Sequence, residues 1–377
     1  MKILFVTTIS GFLKQFEMND VKIMQQAGYE VHYASNLYNP VYRYDREELE
    51  RQGIVFHHID ICKSPKELRK NCKALKQLKK IIREEKIDLI HCHNPMGGVI
   101  GRIAALGEAG RVTVMYTAHG FHFYKGAPLK NWLLYYPAEY LLARCTDRLI
   151  TINEEDYQAA KHFRLKKNGK VYRIPGVGIE CEKFRCGEDI REKTRRELGI
   201  PHSAFYILAV GELNDNKNHK VIIDALTKIS DSNIYFGICG QGVLYEELER
   251  FIKERYLEKR VFLYGFREDI PRMLAAADCF VFPSKREGLG IAALEAMAAG
   301  IPMITSDCRG TREYMRHGEN GYVCRHGSPE EYAEAICRMR DNPEERRKMS
   351  KACGDAAERF DISVTDRIMR EIYREVW

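Results

Sequence analysis

Cys279-Phe-Val-Phe-Pro-Ser-Lys-Arg-Glu287-Gly-Leu-Gly-Ile-Ala-Ala-Leu-Glu295-Ala-Met-Ala-Ala-Gly300 reads as a short apolar strand, a glycine-broken loop and an apolar helix in direct succession. The run Cys279–Phe282 has the length of a strand buried on both faces, and the pattern behind Gly290 is helical. Gly288 and Gly290 lack a Cβ, so the backbone can come close to a ligand. The helix opening near Ile291 offers unpaired N–H groups and a positive dipole end to an anion. Two carboxylates flank this loop: Glu287 before it, and Glu295 early in the helix, where it can accept hydrogen bonds from a ribose diol. The outline is that of a phosphate-and-sugar site.

Outward from this unit the same order repeats. Ile3–Thr7, Glu30–Ala34, Leu89–His91, Val112–Thr117 and Arg148–Ile152 read as strands separated by helical patterns. The pattern restarts at Tyr206–Gly211 and runs on through Ile234–Cys239, Val261–Tyr264, Cys279–Phe282 and Pro302–Ser306. Strand-helix alternation of this kind implies parallel sheets covered by helices on both faces. A chain of 377 residues exceeds one ordinary core. The expected architecture is therefore α/β, with two doubly wound Rossmann-like domains. Ile174-Pro-Gly-Val-Gly178 is the expected hinge, dividing a domain over 1–175 from one over 176–359, with a last helix over 360–377.

A hydrophobic content of 45% with 30% charged residues describes a globular chain, and no apolar run reaches the length of a membrane span. The start, Met1-Lys-Ile-Leu-Phe-Val-Thr-Thr8, has too short an apolar core for a signal peptide and reads as a buried strand. A cytoplasmic location is expected, and the twelve cysteines are expected to be free thiols. The net charge of +7 is uneven: residues 1–175 hold 28 Lys and Arg against 18 Asp and Glu. Much of that excess lies in Lys63–Lys86, where Leu68, Leu75, Leu78 and Ile82 recur at helical spacing beneath a lysine-rich face. Such a face is either a solvated helix surface or a patch attracted to an anionic membrane. Phe121–Tyr136 mixes aromatics with Lys125 and Lys130, as interfacial segments do and as ordinary core-packed helices also do.

Candidate functional residues lie in loops after strands, where open parallel sheets bind ligands. Gly11, after the first strand, can let backbone amides face a phosphate. His119, at the end of Val112–Thr117 and followed by Gly120, is placed in the presumed cleft between the domains as a donor to a sugar hydroxyl or phosphate. His91 and His93 flank Cys92 on a strand, which turns Cys92 away from them, and two imidazoles without further ligands make a poor zinc site. No metal is expected. In Val210-Gly-Glu-Leu-Asn-Asp-Asn-Lys217-Asn-His219 the Lys217 ammonium can reach a diphosphate. Phe266 and Arg267, leaving a strand by the turn at Gly265, can frame a nucleobase.

Together these residues resemble the family-four retaining glycosyltransferases of the GT-B fold, over nearly the whole chain. Glu287 and Glu295 reproduce the family's E-x7-E signature, with Gly288-Leu-Gly290 between them. Ser306–Glu313 looks like the family loop that ends in a glutamate, and Asn320-Gly321 like its closing turn. The likeness is strongest to enzymes that assemble bacterial capsule, exopolysaccharide and O-antigen units on a lipid diphosphate carrier. By this resemblance Glu295 binds the donor's ribose, while Glu287 and the amides of Leu289, Gly290 and Ile291 hold the transferred sugar and diphosphate. Lys217 neutralises diphosphate charge, His119 contacts the sugar, and the final helix crosses back to the first domain. One position departs from the pattern: Glu212 stands where many members carry arginine, leaving the phosphate clamp to Lys217 with help from Lys285, Arg286 or backbone amides.

The resemblance thus implies metal-independent transfer with retained configuration, since no Asp-x-Asp pair is present to chelate a divalent ion. It implies a nucleotide-sugar donor, UDP-linked rather than GDP-linked, a lipid-diphosphate or oligosaccharide acceptor, peripheral contact with an anionic membrane through the basic first domain, and no nucleic acid. A nucleotide-sugar 2-epimerase on the same fold, and a non-catalytic sugar-nucleotide-binding subunit of a transferase complex, are the rival readings.

Overall fold

The computed structural model describes residues 1–38, 40, 42–108 and 111–376. Trp377, the last residue of the expected final helix, lies outside them. The chain divides into two compact units, Met1–Val177 joined by the closing stretch from Ser363, and Gly178–Ile362.

The first unit is built on a parallel sheet of seven strands: β1 (Lys2–Val6), β2 (Glu30–Ser35), β3 (Ile54–His58), β4 (Leu89–His93), β5 (Thr113–Ala118), β6 (Arg148–Thr151) and β7 (Lys170–Arg173). Their order in the sheet is β3-β2-β1-β4-β5-β6-β7. Direction of winding reverses between β1 and β4, the place where doubly wound sheets open a crevice. The central strands are buried on both faces, which is why they read as continuous apolar runs. Leu4, Val6, Ile90, Val114 and Tyr116 pack with Ala74, Leu78 and Ile82 of the helix Leu68–Glu84 and with Ile100 and Ala104 of the helix Pro95–Ala105.

The second unit repeats the plan with six parallel strands: β8 (Phe205–Val210), β9 (Ile234–Cys239), β10 (Val261–Gly265), β11 (Cys279–Phe282), β12 (Met303–Ser306) and β13 (Gly321–Cys324). The order β10-β9-β8-β11-β12-β13 puts its switch point between β8 and β11. Ile207, Ile238, Val281 and Ile304 form a core with Ile222, Ile223, Ile336 and Met339 from the covering helices.

Three strands escape the sequence pattern. β3 and β7 are edge strands whose residues are mostly half-exposed, and β13 is another edge strand, opening on Gly321. β3 and β7, half-exposed at the sheet edges, lack the long doubly buried apolar run of a central strand. The lysine-rich helix begins at Leu68, so Lys63–Glu67 precede it, and Leu68 itself is 69% exposed rather than part of the buried stripe. The helix Ile362–Arg374 contributes Met369, Ile372 and Tyr373 to the interior of the first unit. All twelve cysteines are free, and among the described residues no helix is long and apolar enough to cross a membrane.

Candidate functional site

In the second unit the loops leaving the two switch-point strands, β8 and β11, are stitched together. Lys285 N–H donates to the Asn216 carbonyl at 2.8 Å, and Asn216 Nδ2 donates to the Arg286 carbonyl at 2.9 Å. Asn218, in a left-handed conformation with φ of 56°, donates Nδ2 to the carbonyls of Pro283 at 3.2 Å and His326 at 2.7 Å. Asn tolerates that conformation better than most residues. Lys217 is held between them: its stem lies 3.2 Å from where a Gly211 Cβ would stand, and its ammonium sits 4.8 Å from the centre of the Phe282 ring. Lys217 Nζ donates to Glu287 Oε1 at 2.7 Å. A single cation and one carboxylate of the E-x7-E pair thus meet across the switch point.

The glycine loop is equally constrained. Gly290 has φ of 92°, and a Cβ there would come within 2.7 Å of the Phe282 ring. No other residue satisfies both demands without a shift. The helix Ile291–Ala298 starts directly behind it, and no side chain caps that start. Tyr314 Oη donates to the Leu289 carbonyl at 3.1 Å, and Gly310 packs its Cα face against Leu289, so the Ser306–Glu313 loop supports the glycine loop from below. Asn320 ties that support down by donating Nδ2 to the Tyr314 carbonyl and accepting from Arg316 N–H, both at 2.8 Å. Glu295 lies half-buried in the second turn of the helix; burial lifts its carboxyl to about 7, opposed by the charge of Lys183.

In the first unit the register sets the corresponding site. His93, the last residue of β4, pairs with Thr117 of β5, so the chain leaving β5 brings His119 beside it. His93 Nδ1 lies 3.2 Å from His119 Nε2. Glu17 Oε1 completes a triangle, 3.3 Å from His93 and 3.5 Å from His119. Glu17 ends a π-helical turn, Leu13–Glu17, of the kind that often marks functional positions. Burial pushes its carboxyl well up and depresses both imidazoles to about 3, so these contacts join neutral groups rather than ions. Phe12 packs edge-on against His119 with ring centres 5.0 Å apart. With His119 Nε2 turned to His93 and Glu17, its Nδ1 is the nitrogen that can meet a sugar hydroxyl. His91, whose ring centre lies 4.2 Å from that of His93, extends the cluster as a buried chain: Thr117 Oγ1 at 2.8 Å on one nitrogen, Tyr373 Oη at 2.7 Å on the other, with Tyr373 donating on to Asp20 at 3.0 Å.

Residues 190–354 match the family described as "Glycosyl transferases group 1", and residues 2–153 match "Glycosyl transferase 4-like". A Bacillus subtilis (strain 168) relative named "Putative glycosyltransferase EpsD" is 38% identical over 99% of this chain and 96% of its own length. The chain belongs to the family-four, group 1 glycosyltransferases. An Escherichia coli relative named "UDP-Gal:alpha-D-GlcNAc-diphosphoundecaprenol alpha-1,3-galactosyltransferase" is 33% identical over 72% of this chain and 71% of its own. The fold is shared with Anabaena Alr3699/HepE, solved in complex with UDP-glucose, at a TM-score of 0.80 and 21% identity with both chains fully covered.

Several expected roles look different in this glycosyltransferase once the side chains are placed. Lys285 is engaged by the exposed carboxylate of Asp215 at 2.8 and 2.9 Å. Glu212 is exposed and has no ion-pair partner among the described residues. Asp269 holds the Arg267 guanidinium fork-to-fork at 2.8 and 2.7 Å, while Phe266 stands 56% exposed beside it. At Gly11 the space for a Cβ is taken by the Tyr42 carbonyl, 2.3 Å from that position, so its glycine serves a close chain approach. His93 does have further ligand-type neighbours, contrary to the sequence argument; Glu17, His93 and His119 hold their ligand atoms within 4.8 Å of one another. Glu17 was invisible because it lies in an amphipathic stretch with nothing local to distinguish it from other carboxylates.

Proposed function

We propose that this glycosyltransferase takes a hexose or N-acetylhexosamine from a UDP-sugar and passes it, with retained configuration, to a lipid-diphosphate-linked saccharide in bacterial surface polysaccharide synthesis. The observation that carries the reading is the Lys217–Glu287 contact of 2.7 Å beside the uncapped helix start at Gly290. An incoming diphosphate competes for the Lys217 ammonium and accepts from the amides of Leu289, Gly290 and Ile291; Glu287, released, accepts from the sugar's hydroxyls. Glu295 takes the ribose, and Gly288 keeps the approach open. The leaving diphosphate is stabilised by Lys217 and those amides, with Arg286 as a second cation and no metal step. On the first unit, which takes the acceptor, His119 contacts the transferred sugar through the tautomer that Glu17 and His93 impose. Attack occurs on the face the leaving group departs from, and a donor phosphate oxygen receives the acceptor's proton.

The names of the relatives support the donor and acceptor classes: a UDP-sugar and a diphosphoundecaprenol-linked sugar for the Escherichia coli protein, UDP-glucose for HepE. With an acceptor on a lipid carrier, the reading puts the enzyme in the cytoplasm, peripheral on the inner face of the membrane. Transfer from UDP-glucose, UDP-galactose and their N-acetyl forms to a lipid-diphosphate sugar tests the reading. A charge-assisted hydrogen bond of about 1.5–3 kcal/mol predicts that Lys217→Ala slows kcat/KM for the donor about 10- to 100-fold. Unchanged kinetics in that variant, or epimerisation of the donor without acceptor, would overturn it.

A further inference from the structure

Beside the carboxyl ends of β1 and β4 the first unit carries an apolar groove of about 640 Å³ that the transfer chemistry leaves unused. Its walls are Leu68 and Leu75 of one helix, Met96, Val99 and Ile103 of a second, and Leu134 of the helix Leu129–Ala143. Spacing of three, four and seven residues along the second helix lays its apolar side chains in one row. We propose that this groove holds the isoprenoid chain of the lipid-diphosphate acceptor, an inference that rests on the acceptor class proposed above.

Four observations select that occupant. Thr8 and Asn94, from the loops that leave β1 and β4, line the same groove, so it reaches the end of the sheet where substrates bind. Lys63 also lines it and has no carboxylate partner among the described residues, which matches a diphosphate at the head of the chain. Two of the polar groups on its wall are spent: Asn71 accepts from Cys62 N–H at 2.9 Å and donates to the Ser64 carbonyl at 3.0 Å, and Glu139 pairs with Arg102 at 2.8 Å. A peptide laid there would leave its own backbone groups unpaired, whereas a hydrocarbon chain has none to satisfy. The helix that supplies Leu134 also leaves Leu129, Leu133 and Leu141 bare, at 72%, 70% and 56% exposure, an apolar surface that soluble proteins seldom show.

The test measures binding of undecaprenyl diphosphate and geranyl diphosphate to the whole protein in neutral detergent, with UDP-glucose binding followed in parallel. Wild type is expected to hold the long chain at least about 10-fold tighter than the short one, from the transfer free energy of each added buried methylene. Val99→Trp, which fills the groove, and Leu134→Asp, which charges its open edge, are expected to abolish that ratio while UDP-glucose affinity stays unchanged. A chain-length ratio that survives both variants, or is absent in wild type, overturns the groove assignment and leaves the donor reading intact. Loss of co-sedimentation with vesicles containing anionic phospholipid, with the ratio preserved, also overturns it by making the face a membrane contact. Transfer only to a soluble glycan would instead overturn the acceptor class on which the inference rests, and binding to the variants separates the two failures.

Discussion

Glu295 makes the donor site pH-dependent in a direction that can be worked out. Its carboxyl, lifted from 4.5 to about 7 by burial, keeps its proton in the folded protein across a range where the unfolded chain has lost it. The difference of about 2.5 units corresponds to about 3 kcal/mol. A raised carboxyl favours the fold fully below pH 4.5, and that advantage is lost as pH rises through 7; above it the second unit holds a half-buried charge opposed only by Lys183. A ribose diol donating two hydrogen bonds stabilises the ionised form, so donor affinity should rise with pH and level off above about 7. At pH 6 only about one molecule in ten is ionised before binding, giving roughly 10-fold weaker binding than at pH 8. Calorimetry with UDP-glucose from pH 5.5 to 8.5 measures this, because its diphosphate does not titrate in that range. His219, depressed to about 3 by burial, does not either. Glu295→Gln should flatten the profile. A wild-type affinity independent of pH, or a Gln variant with the same slope, would refute the assignment of this carboxylate to the ribose.

Other perturbations follow from the packing. Glu139→Ala strands Arg102, which is fully buried, stacked 4.1 Å over the Tyr116 ring and paired at 2.8 Å with the lost carboxylate. Leaving such a charge alone costs about 3–5 kcal/mol, a fall in the first unit's melting temperature of about 6–20 °C by calorimetry. Gly290→Ala meets both positive φ and the Phe282 ring and should cost about 1–3 kcal/mol in urea unfolding and weaken UDP-glucose binding. Gly318→Ala, with φ of 79° but open space around it, is the control that pays for backbone alone and leaves donor affinity unchanged. Tyr373→Phe removes the hydroxyl joining His91 to Asp20 and should cost about 1–3 kcal/mol, read in the melting of the first unit. A Phe variant as stable as wild type would mean that this buried chain contributes nothing to holding the last helix in place.

Much of the fold was legible because its signals are local. Central parallel strands are buried on both sides, so β1, β4, β8 and β11 announce themselves as apolar runs, and the loops after them are where ligands go. Glu287, Gly290 and Glu295 share one strand-loop-helix unit, so their spacing carries the site in nine residues. Lys217 could be named for a similar reason, sitting in the loop after a strand. Its partner could not, since Glu287 is seventy positions away and the two meet only because β8 and β11 are neighbours in the sheet.

What the sequence determined by itself is therefore the set of groups and the unit each belongs to: two doubly wound sheets, the glycine loop with its paired glutamates, the lysine after β8 and the histidine after β5. Tertiary structure decided which charges remain available. It drew Lys285 to Asp215, seventy positions away, and it brought Glu17 and His93 to His119 across residues no local pattern connects. Ion pairs and buried hydrogen bonds act over a few ångströms between residues distant in the chain, so the register of parallel strands, not sequence spacing, sets the charge that each site presents.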